Sequence, residues 1–85
     1  VRFYDGAGEH LRETPLSTNQ QIESLPDHPE TLDVAATVAN TLQLKWWLLG
    51  FGERAEVLAP ESLRHNLSEV AGKMAVRYES RVADN

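Results

Sequence analysis

The chain has no cysteine, no apolar run long enough to cross a bilayer and no excess of positive charge, and each lack removes a class of protein. Without cysteine there are no disulfides, thiolate metal sites or thiol nucleophiles, which suits a cytoplasmic protein. No stretch of about 18 consecutive apolar residues is present, so no transmembrane helix is expected. The first residues lack the charged-then-apolar pattern of a signal peptide. Thirteen acidic side chains against eight basic ones leave a net charge of −5. A protein of that sign does not bind phosphate backbones through its overall field.

Catalytic patterns are equally scarce. His10, His28 and His65 fall in three separate segments, with no pair spaced for a metal on one helix face and no H-E-x-x-H. There is no G-x-S-x-G elbow. Gly50-Phe51-Gly52 follows a helical pattern rather than a strand and lacks the further glycine and lysine of a phosphate loop. Glu53, Glu56 and Glu61 read as a solvated rim, His28 as a turn residue and His65 as a solvated side chain. An enzyme is not expected, and neither a metal nor a cofactor is implied.

What is present makes one small domain. Of 85 residues, 41% are hydrophobic and 25% charged, an ordinary globular balance. Such a length buries only about 60–65% of its unfolded-chain surface, leaving little room for an enclosed active site. The organising stretch is Asn40 to Arg64. Asn40, answered by Gln43, predicts a capping box opening a helix from Thr41 to about Leu49. Gly50 and Gly52 supply a left-handed stop. A strand follows over Glu53–Leu58, and Pro60 opens a second helix.

Ahead of that stretch, Val1-Arg2-Phe3-Tyr4 is β-prone and reads as an internal strand of a longer protein. Asp5 then caps a marginal helix, about Ala7 to Glu13, stopped by Pro15, with Leu11 as its one large apolar residue. Gln20–Leu25 is a weak strand suited to a sheet edge, and Leu25-Pro26-Asp27-His28-Pro29 is turn chemistry. Thr31–Ala39 alternates clearly, with Leu32, Val34, Ala36 and Val38 on one face. The last helix, Pro60 to about Ser80, carries Leu63, Leu67, Val70, Ala71, Met74 and Tyr78 in one stripe. Arg81 to Asn85 read as a fraying tail.

The order β, α, β, β, α, β predicts an α+β fold: a ferredoxin-like split repeat, four antiparallel strands with helices on one face, plus a long C-terminal helix. The single domain spans residues 1–80. Its helix over 41–49 has two apolar faces. Leu42, Trp46 and Leu49 form one, and Leu44, Trp47, Leu48 and Phe51 the other. A helix lying on a sheet needs only one, so Trp46 leads the expected contact surface, with Leu42, Leu49, Met74 and Tyr78. Arg64 joins them, because its positive charge in the first helical turn opposes the macrodipole and calls for an anionic partner. That partner is expected from an adjoining domain, another protomer or an effector.

Direct nucleic-acid binding is not expected. The strand Thr31–Ala39 has no aromatic for a base to stack on, and only one of Phe3 and Tyr4 can lie on the open sheet face. Arg64, Lys73, Arg77 and Arg81 are interspersed with Glu61, Glu69 and Glu79 as in ordinary surface ion pairs.

The ordered set Trp47-Leu48-Leu49-Gly50-Phe51-Gly52, Val57-Leu58-Ala59-Pro60 and Leu63-Arg64, after the Ser17–Gln20 turn and the Pro26-Asp27 hairpin, resembles the C-terminal extension (WCX-type) domain of WYL-domain transcriptional regulators of bacteria. The resemblance covers roughly residues 1–80. Where the family's hairpin commonly reads P-D-G, this chain has Pro26-Asp27-His28-Pro29, which predicts a wider turn or one of another type. The resemblance implies a ferredoxin-like, non-catalytic module that dimerises and relays effector binding to a DNA-binding domain elsewhere in the parent. Its implied partners are the adjoining WYL domain and a second protomer. An alternative of another class is an ACT-like small-ligand sensor, which would use the Asp5-Gly6-Ala7-Gly8 turn to hold an anion.

Overall fold

The computed structural model describes residues 1–83, with side chains described to residue 79. Four short strands make one antiparallel sheet: β1 (Arg2–Phe3), β2 (Gln21–Leu25), β3 (His28–Ala35) and β4 (Ala55–Glu56). Their spatial order is β2-β3-β1-β4. Two α-helices complete the α+β architecture, α1 (Leu42–Leu49) and the long α2 (Glu61–Ala83). A 3₁₀ turn, Glu9–Arg12, stands where a first helix was expected. Asp5 does not cap it: Asp5 and Gly6 instead take left-handed backbone, φ 56° and 76°, and turn the chain out of β1.

The core lies on one face of the sheet. Phe3 and Leu32 face each other across β1 and β3. Both are fully buried, together with Leu11 and Val34, and Leu16, Ile22, Trp47 and Phe51 pack around them. Phe51 and Trp47 meet Phe3 edge-to-face, with ring centroids 5.1 and 6.1 Å from its own. Gly8 is buried against the same ring, and a Cβ there would sit 2.9 Å from Phe3 Cβ. Glycine is what lets the 3₁₀ turn close over the sheet. Gln20 fastens that turn from the other side, accepting from Leu16 N–H at 2.9 Å and donating to Leu11 C=O at 2.8 Å. A second cluster, Leu48, Val57 and Leu63, joins α1 and the start of α2 to the chain after β4.

Several boundaries differ from the sequence pattern, each for a local reason. β3 ends at Ala35 rather than Ala39 because its partners run out: Gln21 pairs with Ala35 and Val1 C=O accepts from Val34 N–H. Asn19 then takes over, its Oδ1 accepting from Thr37 N–H at 3.0 Å. The hairpin turn is tight, not wide, since Leu25 pairs with His28 across Pro26-Asp27. His28 and Pro29 therefore belong to β3, and the misfit is absorbed by an irregular register after Ser24. The cap of α1 is Thr41 rather than Asn40, with Oγ1 accepting from Leu44 N–H at 3.1 Å. Gly50 stays right-handed at φ −63°, and Gly52 alone supplies the left-handed residue, φ 61°. β4 is short because β1 offers only Arg2 and Phe3 to pair with it.

α2 runs to Ala83, beyond the expected stop near Ser80. Of the expected tail, residues 84–85 lie outside the described residues. The helix makes the molecule long, 47 × 30 × 20 Å. The radius of gyration is 14.6 Å, where a compact chain of this length would have about 12 Å. Only Leu63, Leu67 and Val70 of its apolar stripe are covered; every residue from 71 to 79 is exposed.

Candidate functional site

The apolar side chains of α1 sort by face. Leu48 is buried and Trp47 and Leu44 half-buried, so the face that includes them is the one that packs. Leu42 and Trp46, on the other face, are 56% and 61% exposed. Leu49 shares their face by its i, i+4, i+7 spacing and is half-buried. It also lines an open groove of about 460 Å³, whose walls are the end of α1 with β4 on one side and α2 on the other. Arg64, Leu67, Ala71 and Met74 come from α2, and Glu53 and Glu56 from the opposite wall. Three of the six expected contact residues, Leu49, Arg64 and Met74, thus meet at one groove. Leu42 and Trp46 lie on the same face of α1 as Leu49 but outside the groove, and Tyr78, 72% exposed, lies farther out on α2.

Arg64 has its anionic partner inside the chain. Its Nη1 donates to Glu56 Oε2 at 2.7 Å and to Val57 C=O at 2.9 Å. The first-turn charge of Arg64 is thus met within the chain, and Glu56, expected in a solvated rim, is engaged by two side chains. The other oxygen of Glu56 accepts from Tyr4 Oη at 2.6 Å. These two donors, Tyr4 foremost, hold the Glu56 carboxyl below the ordinary glutamate value, while the carboxylate pushes the Tyr4 phenol up. Next to them Arg2 grips Asp33 in a forked pair, Nε to Oδ1 at 2.7 Å and Nη2 to Oδ2 at 3.0 Å, which lowers the Asp33 carboxyl.

Strand register explains this polar surface. Glu23 pairs with Asp33, Asp33 with Arg2 and Arg2 with Glu56, so one row of alternating positions crosses all four strands. It lies on the face opposite Phe3. Tyr4, two residues from Arg2, is the aromatic on that face, but its hydroxyl is committed to Glu56. The row escaped the sequence pattern because it depends on which strands are neighbours; the alternation in Val1–Tyr4 was its only trace.

Elsewhere the chemistry is sparse. His65 Nε2 meets Glu69 Oε1 at 2.8 Å on the exposed side of α2. His10 stacks on Phe51 with centroids 5.9 Å apart. In the turn after β1, Gly6 N–H donates to Glu30 C=O and Ala7 N–H to Tyr4 C=O. Those amides are engaged internally, which counts against their holding an anion. Among the described residues no three His, Asp or Glu side chains gather as a metal site, and no helix is long and apolar enough to cross a membrane.

Residues 1–75 match the family model of the WCX domain. The chain belongs to the WCX domain family. The match covers the sheet, the groove and α2 as far as Ala75, and the resemblance to the C-terminal extension of WYL regulators stands on it. Tyr78 lies beyond the matched part of this WCX domain. No curated protein and no solved structure matches the chain.

Proposed function

We propose that this WCX domain is a non-catalytic module of a WYL-type bacterial transcriptional regulator, which pairs protomers and relays effector binding to a DNA-binding domain elsewhere in the parent. Its partners are the adjoining WYL domain and a second protomer, and its compartment is the cytoplasm. The observation that carries the reading is the uncovered apolar side chains, Leu42 and Trp46 on α1 and Met74 and Tyr78 on α2, with Leu49 and Met74 lining one groove. Aromatics so exposed on a small domain are favoured interface anchors. The strand order β2-β3-β1-β4, every neighbour antiparallel, supports a ferredoxin-like split repeat whose first helix has shrunk to a 3₁₀ turn. The relay is a difference in binding free energy between two arrangements of the protomers.

Solution mass of the 85-residue chain, followed by sedimentation across concentration, tests the reading. A dimer that Trp46→Glu dissociates is the expected result. A chain monomeric at every concentration would overturn pairing through this domain.

A further inference from the structure

We infer that the groove beside α2 receives the distal half of α2 from a second copy, laid antiparallel so that the two helices cross near Ala71. This rests on the pairing proposed above and goes further in naming the surface and its register.

Three observations point to that occupant. The groove continues directly into the stripe of α2 that nothing covers: Leu67, Ala71 and Met74 line it or lead out of it, and Tyr78 follows at the next turn. The same side of the helix carries Ser68, Ala71 and Ala75, small residues that allow another helix to approach closely. Charge is divided between the two halves of the molecule. Residues 1–59 hold nine acids and four bases, a net −5, whereas between Ala71 and Tyr78 the only charges are Lys73 and Arg77. Within the groove Glu56 is already paired with Arg64, so the acid that meets this basic, apolar arm is Glu53.

The direction follows from the same charges. A parallel pair would set Lys73 and Arg77 against their own copies, which repel, and would leave the groove open. An antiparallel pair avoids both. Leu63, Val70 and Arg77 recur every seven residues along one edge of α2, and Leu63 and Val70 show that this edge faces the domain body. A two-fold axis across an antiparallel pair keeps that edge on the same side in both helices. Arg77 of the second copy therefore comes over the body of the first, on the wall where Glu53 stands, while its Met74 and Tyr78 enter the groove.

A chain without cysteine allows a clean test. Under mild oxidation, Ala71→Cys at the crossing point should give a disulfide-linked dimer, and Val76→Cys on the opposite side should not. Arg77→Glu should raise the dimer Kd on the order of tenfold, since two symmetric ion pairs become repulsive. Adding Glu53→Arg should restore it. A dimer that Ala71→Cys fails to cross-link, and whose Kd ignores Arg77→Glu, would overturn this register while leaving self-association in place. A chain that never dimerises would overturn both.

Discussion

Adjacent tryptophans on α1 should behave as opposites. Trp47 is half-buried, with its ring centroid 4.8 Å from that of Phe51, 6.1 Å from Phe3 and 6.4 Å from His10. Full burial of such a side chain makes truncation to alanine cost about 3–5 kcal/mol. Partial exposure brings Trp47→Ala to about 2–3 kcal/mol by the same rule, the edge-to-face contacts included. A chain of this length has roughly 4–13 kcal/mol of stability in all, and each kcal/mol moves the midpoint by about 4–8 °C. Trp47→Ala should therefore melt about 10–20 °C early. Trp46, 61% exposed, should cost under about 0.5 kcal/mol when truncated in the monomer. Thermal and urea melts followed by far-ultraviolet circular dichroism measure both. The phenylalanine variants add a spectroscopic check, because each leaves one tryptophan. At concentrations where the chain is monomeric, Trp46→Phe should emit to the blue, from Trp47 in its aromatic nest, and Trp47→Phe should emit like tryptophan in water. Equal costs, or spectra in the reverse order, would refute the assignment of the two faces.

Two further outcomes follow from the packing and the polar row. Gly8→Ala should destabilise by about 1–3 kcal/mol, because its Cβ would meet Phe3 Cβ, an atom fixed to the strand backbone, at 2.9 Å and the turn or the sheet must shift; an unshifted melt would mean that the turn slides freely over Phe3. The carboxyl of Glu56 titrates below the ordinary 4.5 when folded, so its contribution is present above pH 4.5 and is lost as pH falls through the depressed value. The effect is small at such an exposed site, and stability measured between pH 6 and 3 should fall less steeply in Glu56→Gln than in the parent.

The sequence pattern disclosed element types better than their extents. Alternation in Thr31–Ala39 identified a strand and its inward residues Leu32 and Val34, but strand length is set by partners, and neither β1 nor β2 reaches past Ala35. Capping chemistry at Asn40 and Thr41 was ambiguous by one residue, because both side chains can accept from a helical N–H. The stripe of α2 gave the correct face from Leu63 to Val70. Periodicity reports an angle around the helix and says nothing of height along it, so the point past Val70 where cover ends could not be read. Glu56 shows the same gap in polar form. Its partners Tyr4 and Arg64 are 52 and 8 residues away in the chain, and only the placing of β1 beside β4 brings the three together.

α2 also shows how a small domain can hold an element ready for exchange. A free helix of about a dozen residues is marginal in water, since nucleation is the costly step. Here Leu63 and Leu67 fix the first turns against Leu48 and Val57, and residues 71–79 propagate from that nucleus without cover of their own. The distal half is helical yet unheld, so a partner meets a formed surface and spends little on ordering it. Complete burial of one large apolar side chain is worth about 1.5–3 kcal/mol. Coupling between distant sites in regulators amounts to about 1–3 kcal/mol. On the proposed reading, a shift between protomer arrangements that covers Met74 and Tyr78 in one and exposes them in the other already has the size a relay requires.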